Sequence, residues 1–208
     1  MSEEKNLTNL NNAFSALNKV REESLSISRE IVQYSSKSIR SVHRNNFDDA
    51  AEHIADASHK LDTLKNLSKN VSEISYAGYV LDAEREYVEA VLFYKFEKNN
   101  ILEPYENFDV HPSSYIQGIG DTIGEWRRKA LEHLRKLKIN EAENYLEAME
   151  ESLEILNQLD YPDALTGGLR RYADNARSII ERTRSDITNA FINESLRSDL
   201  SKLNKDEL

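Results

Sequence analysis

Two pairs of carboxylates stand at helical spacing in this chain, Glu86 with Glu89 and Asp121 with Glu125. Residues three or four apart share one face of an α-helix, so each pair offers oxygen donors side by side. Two helices that each present such a pair make a cage for a hard divalent cation, Mg2+ or Mn2+. With Tyr87 set at the centre of the core face, Asp82, Glu86 and Glu89 share an arc of about 60°. Most of the circumference near them is apolar: Val88, Ala90, Val91, Leu92, Phe93 and Tyr94. A helix apolar nearly all round is a buried one. Acids on it are costly unless a cation compensates, whether Arg, Lys or a metal. Around Asp121 and Glu125 sit Gly118, Gly120 and Gly124, half of the chain's 6 glycines. Each glycine costs a helix about 1 kcal/mol against alanine, so this cluster predicts close approach by another backbone or a ligand.

The competing reading is plain. The chain holds 37 Asp and Glu residues, and pairs at this spacing also arise on solvated faces. The residues alone leave both readings open. Neither pair has a histidine at the i+3 position, which argues against a carboxylate-bridged di-iron site. The sequence contains 0 Cys, so disulfides and thiolate metal sites are excluded. Gly118, Gly120 and Gly124 form no phosphate-binding loop, since no strand precedes them. His43, His53, His59, His111 and His133 are scattered, and no Ser/His/Asp constellation emerges.

Basic residues also fall in stripes. Arg29, Lys37, Arg40 and Arg44 lie within about 80° of one another on a helical wheel, with His43 beside them. Further on, Arg170, Arg177 and Arg184 repeat every seven residues, with Arg171 adjacent. Two such stripes in an acidic protein suit a nucleic-acid face. They equally suit exposed helix faces laced by ion pairs, Arg170 with Asp174 and Arg177 with Glu181.

The elements that must position these groups are helices. With 3 Pro and 6 Gly there is little turn chemistry for strands. Leu10, Phe14, Leu17, Val20, Leu25, Ile27, Ile31 and Ile39 follow three- and four-residue steps, which predicts one long helix over 6–45. At about 60 Å it exceeds a small monomer's core, so part of it is expected to pack on another subunit. A second helix runs to Leu67 with Ala50, Ile54, Ala57, Leu61 and Leu64 inward. A third spans Ser75 to Asn99, with Tyr76, Tyr79, Val80, Ala83, Tyr87, Ala90, Val91 and Tyr94 as its core stripe. After a loop from Glu103 to His111, Pro112 opens a fourth that reaches Leu137 through Ile116, Ile119, Ile123, Trp126, Ala130 and Leu134. Lys138–Asn140 turns into a fifth ending near Leu159. A sixth starts at Asp160–Asp163 and continues to Ala190 through Leu165, Leu169, Tyr172, Ala176, Ile179, Thr183 and Ile187. The fold class expected is all-α, a single domain over 1–192 of six to seven helices with a long N-terminal helix, followed by a polar tail over 193–208.

The net charge of −10 argues against indiscriminate binding to nucleic acid. No apolar run approaches the roughly 20 residues of a membrane span, and no basic-then-apolar leader is present. The last four residues, Lys205-Asp206-Glu207-Leu208, match a retention signal for the endoplasmic reticulum. Without an entry signal they read as chance in a charged tail, and a cytoplasmic location is expected.

The segment Glu86-Tyr87-Val88-Glu89-Ala90, followed by Val91 and Phe93, resembles the translin superfamily, and within it the branch of translin-associated factor X. The resemblance recurs at Tyr115-x-x-Gly118-x-x-Asp121-x-x-Gly124-Glu125 and at Ser28-Arg29-x-Ile31 with Ser36-Lys37 and His43-Arg44. It extends to the run from Tyr161 through Leu165 and Gly168 to Arg171, which looks most like the single-gene archaeal members. It covers most of the chain up to about residue 190. It implies a helical fold assembled as a hollow homo-oligomeric shell, typically an octamer, that binds single-stranded RNA or DNA. In the factor X-like branch, acidic residues hold a divalent metal and RNA is cut endonucleolytically. Translin-like members lack that set and bind without cutting. All four acidic positions are filled here, which implies a Mg2+-dependent endoribonuclease acting on single-stranded or short structured RNA. Glu86, Glu89 and Asp121 would be ligands, and Glu125 a fourth ligand or a base beside them. Arg29, Lys37, Arg40, Arg44, Arg170 and Arg177 would neutralise phosphates. The chain's acidity departs from a nucleic-acid binder's usual balance, so binding would depend on the basic stripes collecting inside the shell.

Overall fold

The computed structural model describes the backbone of residues 2–206 and the side chains of residues 4–202. Its elements are α1 (Ser2–His43), α2 (Phe47–Ser68), α3 (Ser72–Ser75), α4 (Gly78–Asn99), a 3-10 turn (Tyr105–Asn107), α5 (Pro112–Leu134), α6 (Ile139–Gln158), α7 (Asp163–Thr166) and α8 (Leu169–Asp206). Among the described residues there is no strand, as the scarcity of Gly and Pro predicts, and no helix long and apolar enough to cross a membrane. The fold is all-α. The chain divides into two compact units, residues 1–115 and 116–208, with the boundary in the first turn of α5.

In the first unit α1 lies along α2 and α4, and α2 also meets α4. The stripe Ile27, Ile31, Ile39 and Val42 is buried, but Leu7, Leu10, Phe14 and Leu17 are exposed, Phe14 at 67%. Their 3-4-3 spacing continues the same face, so α1 outruns the surface its own chain can offer it. Asn46 caps α2 by accepting from the Asp49 N–H. The apolar run of α4 is buried as its pattern predicts: Val88, Ala90, Val91, Leu92, Phe93 and Tyr94. The start of that helix differs from the sequence reading. Ala77 takes an extended conformation between α3 and α4, and Tyr76, assigned to the core stripe from sequence, is 67% exposed with its ring edge-on to His111. Asn100 ends α4 in the left-handed conformation, φ 55°.

In the second unit Ile116, Ile119, Ile123, Trp126 and Ala130 of α5 are buried in the predicted register. The helix stops at Leu134 rather than Leu137. The Lys136 and Lys138 amides both donate to the His133 carbonyl, and Leu137 turns left-handed at φ 57°. α6 packs on α8. The sequence reading joins Asp163 to Ala190 in one helix. Gly167 and Gly168, at φ 64° and 96°, break it into α7 and α8, because that backbone region closes a helix and favours glycine. α8 then continues through Asp206, well past Asn193. Glu207 and Leu208, which complete the C-terminal tetrapeptide, lie outside the described residues.

Candidate functional site

Glu86 and Glu89 share a face of α4, and both are half-buried. The Arg85 guanidinium stands 3.4 Å from Glu86 and 3.6 Å from Asp82. On α5, Asp121 and Glu125 are also half-buried on one face, with Arg128 3.8 Å from Glu125. These ion pairs are at the loose end of their range, which suits carboxylates that must exchange partners. The donor chemistry fits a hard cation: oxygen only, two groups per helix face, in partly desolvated surroundings where a divalent charge is felt strongly. Among the described residues no group of three or more His, Asp or Glu side chains stands as a ready ligand shell.

The helix that carries Glu86 and Glu89 holds a more deeply buried acid that the sequence reading passed over. Glu84 is 1% exposed. Its carboxylate accepts the His111 backbone N–H at 2.9 Å and the His111 Nδ1–H at 2.9 and 3.1 Å. An ionised carboxylate only accepts, so the imidazole hydrogen sits on Nδ1. The compensation for an acid on a buried helix is therefore in part a peptide N–H and a histidine, not a metal. Its signal in the sequence is register: Glu84 is four residues from both Val80 and Val88, each buried. On α5, Lys129 follows Glu125 at the next four-residue step and is 4% exposed, a buried cation likewise not singled out from sequence.

Tyr115, part of the motif before Asp121, is held by its ring against Tyr105 and Phe108 and by its hydroxyl donating to the Glu103 carbonyl at 2.8 Å. Burial, reinforced by Glu106 and Glu103, pushes its phenol up to about 12. The glycine cluster near Asp121 resolves into two behaviours. A Cβ on Gly120 would meet the Tyr172 ring of α8 at 2.6 Å, the close approach expected of it. Gly124 meets nothing within 4 Å and borders an open depression with Arg127, Arg128, Leu131 and Arg135.

The basic stripes also divide. On α1, Arg29, Arg40 and Arg44 are exposed and have no ion-pair partner among the described residues. Lys37 is half-buried with its ammonium over the Tyr34 ring. On α8, Arg170 is exposed in the same way, whereas Arg177 binds Asp174 at 3.1 Å and Asn157 at 3.4 Å. Arg184 reaches Glu181 and, on α6, Glu150. The helical pairs run backward by three residues, not forward by four as the sequence suggested. Arg127 of α5 is tied to Thr183 and Asp186 of α8, each at 2.8 Å.

No family model matches the chain. An uncharacterized protein of Methanocaldococcus jannaschii is 32% identical over 189 residues, which are 88% of this chain and 82% of that protein. Among solved structures, AfC3PO in complex with duplex RNA is 31% identical, with a TM-score of 0.83 over 90% of this chain and 97% of that one. The crystal structure of AfC3PO gives 31% identity and a TM-score of 0.80 over 90% and 98%. That of apo-NeC3PO gives 26% and 0.79 over 89% and 97%.

Proposed function

The chain belongs to the translin/C3PO family, and on that premise we propose that it binds RNA and cuts it with a divalent cation held by Glu86, Glu89, Asp121 and Glu125. The observation that carries the binding half is the likeness, across 97% of its length, to a protein whose structure contains duplex RNA. The substrate class is single-stranded or short structured RNA, with single-stranded DNA as a possible second ligand. Arg29, Arg40, Arg44 and Arg170 have guanidinium groups open to phosphate oxygens, and Lys37 adds a further charge on the α1 face. Arg177 contributes less, because Asp174 already neutralises it. The basic groups hold the strand, while the carboxylate pairs position the cation. A bound Mg2+ or Mn2+ supplies Lewis acidity toward phosphoryl oxygen and a water of lowered pKa. Glu125, one turn beyond Asp121, serves as the last ligand or as the base that takes the proton.

The assembly proposed is a homo-oligomer, an octamer in the shell reading, in the cytoplasm. Leu7, Leu10, Phe14 and Leu17 form an uncovered stripe at coiled-coil spacing, and Phe191, Ile192, Leu196 and Leu200 form another along the end of α8. A second copy of the chain is the natural cover for both. Light scattering on the purified protein checks this, and a monomer would refute it.

The reading is tested by incubating labelled RNA with the wild type and with Glu89→Ala, with Mg2+ or Mn2+ and with EDTA. Cleavage by the wild type in metal alone is the expected result. Undiminished cutting by the variant or in EDTA refutes the mechanism. The absence of a ready shell of three ligands among the described residues favours a second reading, a non-catalytic RNA- or DNA-binding oligomer. It predicts retention that weakens as salt rises, with no cleavage under either metal.

A further inference from the structure

A cleft of about 240 Å3 opens between α1 and α4, lined by Leu25, Ser28, Arg29, Val32, Tyr79 and Asp82. Leu25, Val32 and the Tyr79 ring make it mostly apolar. Two polar atoms on its lining residues are buried with no hydrogen-bond partner in the protein, Ser28 Oγ, on a residue 3% exposed, and the Tyr79 hydroxyl. Buried hydroxyls without partners are costly, and native interiors keep few of them. Two beside one cleft call for a ligand that brings its own hydrogen bonds. Burial pushes the Tyr79 phenol up, with Arg21 opposing and Glu22 reinforcing, so the hydroxyl stays protonated and can donate. At the rim stand an exposed acceptor, Asp82, 3.6 Å from Arg85, and the exposed Arg29. The volume falls below the roughly 300–1,000 Å3 of sites for larger organic ligands. It suits one flat heterocycle and excludes a base pair.

We propose that this cleft takes the base of one unpaired guanine nucleotide of bound RNA, a proposal that rests on the RNA-binding reading above. Guanine is the base that offers a carboxylate two parallel donors, N1–H and the exocyclic amino group, and Asp82 can accept both. Adenine, cytosine and uracil each offer a single donor group there. The O6 and N7 acceptors of guanine answer the Ser28 and Tyr79 hydroxyls. Leu25, Val32 and the Tyr79 ring cover the base, as unstacked bases are covered in RNA recognition. Arg29 meets the adjoining phosphate. Asp82 lies one helical turn before Glu86 on the same helix, so the nucleotide held here sits beside the Glu86/Glu89 pair. Cutting would then fall next to a guanine.

The test uses the full chain in EDTA and three RNAs: an oligouridylate, the same strand with one guanosine, and the same with one adenosine. Fluorescence anisotropy is expected to show the guanosine strand bound about tenfold more tightly than the other two, the discrimination of one bidentate base contact. Asp82→Asn, at an exposed position that tolerates the change, brings the guanosine strand down to the affinity of oligouridylate. Ser28→Ala narrows the gap. Equal affinity of the wild type for all three strands overturns the assignment while RNA binding stands, as does a guanosine preference that survives Asp82→Asn. If none of the three is bound, the RNA-binding reading falls and this proposal falls with it.

Discussion

Replacing Glu84 by alanine removes the one deeply buried carboxylate described on α4. The side chain is 1% exposed and takes two donors from His111, the backbone N–H and Nδ1–H. Hydrogen bonds to a charged acceptor contribute about 1.5–3 kcal/mol each. Removing one partner of a buried pair costs about 3–5 kcal/mol in total, after the relief of desolvating the acid is counted. His111 retains some access to solvent and can regain water at its ring, so the lower end applies, about 3 kcal/mol. For a chain of this length about 2–4 °C of melting temperature follows each kcal/mol, which gives a fall of about 6–12 °C. Glu84→Gln should lose only about 1 kcal/mol. Its amide oxygen still accepts the backbone N–H, and its amino group can donate to the other imidazole tautomer. Urea unfolding followed by circular dichroism at fixed protein concentration measures both, with an unchanged slope as the control. A loss under about 1 kcal/mol for Glu84→Ala, or equal losses for both variants, refutes the reasoning.

Three further outcomes are expected. Because the Tyr115 phenol is raised from 10.0 to about 12 in the folded chain, its contribution is complete below pH 10 and is lost as the pH climbs toward 12. Alkaline unfolding should set in across that window, and Tyr115→Phe should flatten the slope there; identical profiles would remove Tyr115 as the cause. Gly120→Ala drives a Cβ to 2.6 Å from the Tyr172 ring, so overpacking of about 1–3 kcal/mol outweighs a helical gain of about 1. Gly124→Ala, with open space around it, should stabilise by about 0.5–1 kcal/mol, and the reverse order in thermal melts would contradict the packing described. Arg170→Ala should lower the dependence of RNA affinity on salt by about one phosphate contact, and Arg177→Ala by less because Asp174 already pairs with it. Equal slopes for both variants in a salt titration would count against the assignment of phosphate contacts.

Local pattern made much of this molecule readable in advance. The apolar run from Val88 to Tyr94 required a buried helix whatever it packed on, and Ile116, Ile119, Ile123 and Trp126 set the inner face of α5 by spacing alone. The carboxylate pairs and the family resemblance rest on the same short-range periodicity. Breaks were harder to place. The extended Ala77 and the left-handed Leu137 carry no strong local signal, and even Gly167-Gly168 was read as part of a continuous helix, although that dipeptide marked the stop.

Burial of a particular acid is a property of neighbours, not of a helix. The sequence identified α4 as the helix on which acids would be costly and placed Glu86 and Glu89 at its sensitive positions. Only the folded chain brought the His111 amide and imidazole, 27 residues away, onto Glu84 instead. The same holds for Gly120, whose missing side chain answers to a tyrosine on α8, and for Gly124 nearby, which answers to nothing within 4 Å. The spacing of Glu86 with Glu89 and of Asp121 with Glu125 was determined by the sequence, because helical periodicity is local. Which charges face each carboxylate, and how far water is kept from it, depends on segments distant in the chain and was decided by the tertiary structure.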